Sequence, residues 1–288
     1  MSRSAIRPEA TAARVLQRWE ADGRRLRRTD SLVVEEPLEV RLDGRSLAVI
    51  MRMPGHDEDL ALGFLLSEGL IQSFSDVARM RFDPRNRHGN VLDVLLAGHA
   101  EIDAERFRRR FLTGSSCGLC GTASLAAVRR RLPRLPAADF RVSPAIVADL
   151  PSRMRSGQAT FDSTGSVHAA ALFDADGGLL RVREDIGRHN AVDKIVGARL
   201  RDEDLRSRGR ILVVSGRVSF EIVQKALAGG IPFLAAVSGP SALAVDLARR
   251  NGQTLVGFAR DGRFNVYAGA SRIRRGDGSG PTKKPDPR

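Results

Sequence analysis

Residues 211–260 read ILVVSGRVSFEIVQKALAGGIPFLAAVSGPSALAVDLARRNGQTLVGFAR, an alternation of short apolar runs with longer amphipathic ones. Short apolar runs bounded by Gly, Ser or Pro predict buried strands, here at Ile211–Val214, Phe233–Val237 and Thr254–Phe258. Helices are predicted where a serine can cap the first turn, at Ser219–Ala228 and Ser241–Arg250. Repeated β-α-β units predict an α/β fold in which a largely parallel sheet is covered by helices on both faces.

The segment before residue 211 continues this pattern. Ser143-Pro144 is typical of a helix start, and this helix is expected to run to about Ser156. Two strands and a helix are predicted after it, at Val167–Phe173, Leu179–Arg183 and Arg188–Leu200. Ligands of such sheets bind at the carboxyl ends of strands, so the loops of interest are 215–217, 238–240 and 259–263.

The first part of the chain predicts a smaller α+β subdomain over residues 31–110, before a core over residues 111–270. Its strands are expected at Leu32–Val34, Leu38–Leu42 and Leu47–Met53, followed by a helix from His56 to Gly69 and two strands that flank residues 83–90. The basic arm 1–30 and the Gly- and Pro-containing tail 271–288 are predicted to be disordered.

The composition excludes some function classes. Lys and Arg outnumber Asp and Glu by 47 to 34, which gives a net charge of +13. Such a charge indicates either solvated arginine-rich faces or an anionic partner. We expect no nucleic acid, because Trp19, Tyr267 and the phenylalanines form no RNA-binding motif. No apolar run reaches the roughly 18 residues of a membrane helix, and no secretory signal is recognisable, so we expect a cytoplasmic protein without membrane contact.

Cys117 and Cys120 are the only cysteines, and they lie in TGSSCGLCG, residues 113–121. This Gly- and Ser-rich context predicts a mobile loop. Four chemistries stay open for the pair: a zinc site, which would need about two more ligands; a thioredoxin-like redox pair; buried structural cysteines; and a sulfur relay. Arg106 and 108–110, together with a helix predicted to begin near Thr122, would favour the thiolate that a relay needs.

Five segments, taken in order, resemble the FdhD family, the formate dehydrogenase accessory sulfurtransferases. They are Ser116–Gly121 (SCGLCG), Thr164–Ala170 (TGSVHAA), Arg183–Lys194 (REDIGRHNAVDK), Ser215–Glu221 (SGRVSFE) and Gly257–Arg260 (GFAR). The similarity extends from about residue 30 to residue 268. Five matches in order are specific, whereas a CxxC pair alone is not.

The resemblance implies a cytidine deaminase-like three-layer α/β/α core and a sulfur carrier. Such proteins accept sulfur as a persulfide from a cysteine desulfurase. They pass it to the molybdenum of Mo-bis(molybdopterin guanine dinucleotide), or bis-MGD, which formate dehydrogenase requires. The resemblance assigns the persulfide to Cys117, with Cys120 as its helper. It places the contacts to bis-MGD, a bound substrate, on Phe258, Ala259, Arg260, Asp261, Gly262 and Arg263. No resident metal is expected.

The residues themselves give these contacts a physical reason. Arg260 and Arg263 offer forked donors to a pyrophosphate, and Gly262 lets the backbone approach closely. A second anion cradle is predicted before the helix that starts near Ser219, at Ser215, Gly216 and Arg217. The alternative to an anion-binding site is an ordinary β-turn whose arginines are solvated. A cofactor with two nucleotide halves would suit a homodimer.

Two other function classes stay open: a cofactor-binding chaperone with structural cysteines, and a metal-dependent hydrolase of the deaminase fold. Zinc deaminases carry H-x-E, but Ala169-Ala170 follows His168, so the general-base glutamate is missing. His168 is therefore expected to be a pocket or core residue. The polar cluster 184–194 is expected either to orient a ligand or loop, or to cap and line one helix.

Overall fold

The computed structural model describes residues 9–98, 132, 134–136, 140–206 and 209–274. The strands are β1 (Thr11–Trp19), β2 (Arg25–Val33), β3 (Glu36–Leu42), β4 (Arg45–Arg52), β5 (Val77–Phe82), β6 (Val91–Leu96), β7 (His168–Phe173), β8 (Leu179–Asp185), β9 (Ile211–Val214), β10 (Phe233–Ala236), β11 (Thr254–Arg260) and β12 (Arg263–Ala268). The helices are α1 (Asp57–Glu68), α2 (Pro144–Arg155), α3 (Ala159–Thr164), α4 (Arg188–Arg201), α5 (Phe220–Ala228) and α6 (Ala242–Arg250).

The core is a six-stranded sheet in the order β12-β11-β10-β9-β7-β8. Only β9, β10 and β11 pair in parallel, because only they are joined by the crossover helices α5 and α6. β7 pairs antiparallel with both β8 and β9, and β12 pairs antiparallel with β11. The prediction of a largely parallel sheet is therefore wrong: the sheet is mixed, since hairpins supply its two edges.

Helices cover both faces of this sheet, which gives the expected three layers. Alternate residues of each strand point to opposite faces. Ala171, Val213 and Phe233 pack with α2 on one face. Leu172, Leu212 and Leu234 pack with α4, α5 and α6 on the other. The α/β fold class with a three-layer core is confirmed.

The smaller sheet, β4-β3-β6-β5, is covered by α1, whose apolar side chains fill a second core. α1 also crosses α4 of the main core, and glycines lie where the two helices meet. A β-carbon at Gly63 would overlap the carbonyl oxygen of Asp193, and one at Gly197 would overlap that of Asp59. The contact therefore joins backbone to backbone, at a distance that only glycine permits.

Two predictions of disorder are wrong for the residues that the structure describes. Within the arm 1–30, β1 and most of β2 form an antiparallel hairpin in register from Thr11↔Val33 to Trp19↔Arg25. In the tail 271–288, a short turn at Ala270–Arg272 buries the Arg272 side chain, and Ile273 bridges to Val142. Residues 1–8, the tail from 275, the boundary near residue 110, the cysteine loop 113–121 and the helix predicted near Thr122 lie outside the described residues.

None of the helices in the described part of the chain has the length and apolar character needed to cross a membrane.

Candidate functional site

A cavity of about 1010 Å³ opens at the carboxyl ends of the parallel strands. Ser215 follows β9, Val237 follows β10, and the turn Arg260–Gly262 follows β11. The far wall is formed by α2, by α3, and by the segment that leads into β7 at His168. Two of the three predicted loops thus contribute to one site, as the rule for open α/β sheets predicts.

The end of β11 and the turn that joins it to β12 carry local backbone strain. Phe258 and Asp261 both have φ of 54°, in the left-handed region, which costs a bulky residue such as Phe roughly 1–3 kcal/mol. Phe258 lies directly over Gly239, since a β-carbon there would come within 2.6 Å of the ring. The ring remains 39% exposed. Strain of this kind persists where the surrounding structure holds a residue in place, which is typical of ligand-binding turns.

Arg260 and Arg263 face each other across this turn as a registered cross-strand pair. Both are exposed, and neither forms an ion pair with a carboxylate in the described part of the chain. Like charges placed opposite each other destabilise a hairpin. An anion bound between the two guanidinium groups would relieve that repulsion. Gly262, at φ 72° with open space around it, lets a ligand approach the turn backbone.

The second predicted cradle is only partly in the cavity. Ser215 lines it, and its Oγ accepts a hydrogen bond from the Ala169 amide at 2.9 Å, which ties β9 to β7. Gly216 lies beneath His168 and Arg188, and Arg217 is exposed; neither residue lines the cavity. An anion-binding role for Ser215, Gly216 and Arg217 stays a prediction.

His168 lies in the cavity wall, as expected for a pocket residue. Its Nδ1 is 3.4 Å from Ser215 Oγ. Burial lowers the pKa of His168, and the nearby Arg188 and His189 lower it further. A neutral imidazole at neutral pH can act as either donor or acceptor toward a ligand.

The helix α3 forms a wall that the sequence analysis missed. The carboxylate of Glu184 accepts hydrogen bonds from the amides of Thr160 and Phe161, at 2.9 and 2.8 Å, and so caps the first turn of α3. Phe161 lines the cavity and stacks on the Arg155 guanidinium, 4.5 Å from the ring centroid. The only sequence signal was Gly165, which ends α3 in the left-handed conformation typical of a helix C-terminus.

The polar cluster at 184–194 orients a loop. Asp185 and Lys194 are fully buried, and their side chains pair at 2.8 Å. Asp185 accepts from the Met53 amide, and Lys194 donates to the Met53 carbonyl. Asp185 also accepts from the Gly187 amide at the start of α4. The cluster therefore fixes the connection between β4 and α1 to the core. The expected side-chain cap of α4 is not formed: its N-cap residue is Gly187, and no side chain caps its first turn.

Cys117, Cys120 and the arginines at 106 and 108–110 lie outside the described residues. Over the described ranges, no three His, Cys, Asp or Glu side chains come together as a metal site would require.

The sequence profile of the FdhD/NarQ family matches residues 33–274, which include the four-stranded sheet, the six-stranded sheet and the whole cavity. The chain belongs to this family. The Sulfur carrier protein FdhD of Streptomyces coelicolor is 53% identical over 261 residues, covering 88% of this chain and 92% of that protein. The protein of the same name from Mycobacterium tuberculosis is 46% identical over 277 residues, covering 92% and 99%.

A solved structure shares the fold. The crystal structure of a putative formate dehydrogenase accessory protein from Desulfotalea psychrophila superposes with a TM-score of 0.72. The superposition covers 92% of this chain and 100% of the Desulfotalea chain, and the two sequences are 24% identical. The family fold is thus the one found here, with the cavity formed by family elements.

Proposed function

We propose that this FdhD/NarQ chain is a sulfur carrier that serves formate dehydrogenase, with a persulfide on Cys117 as the carrier state. The support is the family membership and the shared name of close relatives, Sulfur carrier protein FdhD. The observation that carries the proposal is structural. A cavity large enough for a nucleotide opens at the carboxyl ends of the parallel strands. Arg260 lines it, and Arg263 lies opposite Arg260 across the turn, outside the lining.

Sulfur loading would follow ordinary thiolate exchange. The Cys117 thiolate attacks the terminal sulfur of a persulfide on a cysteine desulfurase. A new S–S bond forms at Cys117, the S–S bond within the donor breaks, and the donor cysteine leaves as a thiolate. The reaction needs no outside oxidant or reductant. Cys120, three residues further along the sequence, would assist the later release of the sulfur.

The acceptor in this proposal is bis-MGD, held as substrate in the cavity. Each half of bis-MGD carries a pyrophosphate, and the forked donors of Arg260 and Arg263 suit one of these groups. The exposed ring of Phe258 offers a flat face to a guanine base. Neutral His168 and the Ser215 hydroxyl supply uncharged polar contacts within the cavity.

The test is mass spectrometry after incubation with a cysteine desulfurase and cysteine. The wild-type chain should gain one sulfur atom on Cys117, and Cys117→Ala should gain none and should fail to support formate dehydrogenase activity. The matched variant Cys120→Ala should still load sulfur. A Cys117→Ala variant that still supports full formate dehydrogenase activity would disprove the proposal and favour a cofactor-binding chaperone with structural cysteines.

A further inference from the structure

The β1–β2 hairpin forms a two-stranded sheet of its own, separate from the four-stranded and six-stranded sheets. Except for Val33, the last residue of β2, it precedes the segment that the family profile matches. Its two nine-residue strands span about 30 Å. A two-stranded ribbon has no core of its own and is marginally stable in water. A ribbon of this length is best explained by something that it binds.

One face of this ribbon combines apolar and cationic side chains. The register pairs Trp19 with Arg25 and Gln17 with Arg27, which places these residues and Val15 on the same face. Trp19 is 63% exposed and Val15 58% exposed. The Arg25 guanidinium lies 5.2 Å from the centroid of the Trp19 ring. Tryptophan and arginine are the residue types most enriched where protein interfaces carry their binding energy.

The ribbon also carries an excess of positive charge. It has six arginines against three carboxylates: Arg14, Arg18, Arg24, Arg25, Arg27 and Arg28 against Glu20, Asp22 and Asp30. Asp22 pairs with Arg24, and Arg14 lies opposite Asp30. Within the described ranges, no carboxylate pairs with Arg25 or Arg27. A second copy of this chain would also carry +13, so charge disfavours self-association through this face and favours an acidic partner.

The position of the ribbon connects it to the cavity. β2 packs beside α3, and α3 supplies Phe161 to the cavity wall. A protein docked on the ribbon would therefore lie next to the opening through which a ligand enters or leaves. The exposed Trp19 and Val15 favour a folded protein over a nucleic acid, which would leave the aliphatic side chain without an apolar partner.

We propose that the β1–β2 ribbon is a docking arm for an acidic surface of the protein that receives the cavity's ligand, with Trp19 as apolar anchor and Arg25 and Arg27 as ionic contacts. The identity of that protein as formate dehydrogenase follows from the proposed function. The assignment of the ribbon as the docking surface rests on its exposed face, its positive charge and its position beside α3.

The experiment measures binding of the full chain to formate dehydrogenase apoprotein lacking its cofactor. Trp19→Ala and the double variant Arg25→Glu/Arg27→Glu should each raise Kd roughly tenfold or more, and the double variant should also flatten the salt dependence. The matched control Arg85→Glu/Arg87→Glu makes the same charge change on the exposed loop between β5 and β6 and should bind as wild type. The altered side chains are exposed, so folding should be unaffected.

Sulfur loading of Cys117 by the desulfurase should be unchanged in both ribbon variants. The experiment therefore distinguishes failure of the docking proposal from failure of the sulfur-carrier proposal. Wild-type-like binding by Arg25→Glu/Arg27→Glu would overturn the docking arm while leaving the carrier intact. The proposal also fails if double-stranded DNA binds the ribbon more tightly than the apoprotein does. It fails equally if the double variant abolishes a dimer of this chain.

Discussion

Phe258 shows at the scale of one residue how the turn after β11 is held. Its left-handed backbone would relax in isolation, but the ring is fixed over Gly239 and the chain returns at once into β12. The two-residue turn Asp261-Gly262, with φ of 54° and 72°, places Arg260 opposite Arg263. Like charges at opposed positions of a hairpin repel each other, so an anion bound between the two guanidinium groups would lower that repulsion.

Replacing those guanidinium groups tests the anion site directly. Arg260→Ala and Arg263→Ala should each weaken binding of GDP, a fragment of bis-MGD, roughly tenfold or more, because a hydrogen bond to a charged group contributes about 1.5–3 kcal/mol. The free energy of unfolding should hold or rise, since a repulsion is removed. Isothermal titration calorimetry measures the first and urea unfolding the second. Unchanged GDP affinity in both variants would contradict the assignment of this turn.

The sequence predicted some residues of the cavity and not others, for a physical reason. A strand followed by a Gly-containing turn is a local sequence pattern, and this pattern predicted Arg260, Asp261 and Gly262. The contribution of Glu184 to the cavity wall could not be predicted in this way. Its hydrogen-bond partners are the amides of Thr160 and Phe161, which lie more than 20 residues away in sequence. Its carboxylate carries no local signal that distinguishes a capping role from ordinary exposure.

At the scale of elements, the helices other than α3 and the core strands other than β12 were predicted almost to their ends, and the pairing of the strands was not. The hydrophobic period of each segment is a local property, whereas β7 pairing antiparallel with β9 is set by how the chain returns after α4. The six residues of α3 are too few to show a helical period. The β1–β2 hairpin lacks an apolar core face, so its composition resembled that of a disordered arm.

The crossing of α1 and α4 makes a prediction at this same scale. Gly63→Ala and Gly197→Ala should each destabilise the protein by about 1–3 kcal/mol or more, because the added methyl group meets a backbone carbonyl that cannot move aside. Urea unfolding measures the change. Gly98→Ala is the matched control, since a β-carbon there meets nothing within 4 Å and stability should be unaffected. Equal stability of all three variants would mean that the helices do not meet at these glycines.

At the scale of the whole molecule, the burial of His56 and His168 and the positive charge near them make stability depend on pH. Burial and nearby cationic groups, Arg183 for His56 and Arg188 for His168, lower the pKa of both. The unfolded chain therefore binds protons at a higher pH than the folded chain does. The free energy of unfolding must fall as the pH drops through the unfolded histidine value of about 6.5.

Urea titrations between pH 7.5 and pH 5.5 measure this effect, with a lower unfolding midpoint expected at pH 5.5. The variant His168→Gln removes one of the two groups, so its midpoint should change less over the same range than that of wild type. The difference between the two slopes isolates His168 from every carboxyl group, because those are common to both proteins. Parallel slopes would show that His168 titrates alike in the folded and unfolded chain. A bound polyanion should reverse the effect, since negative charge in the cavity favours the protonated imidazole and offsets the neighbouring Arg188.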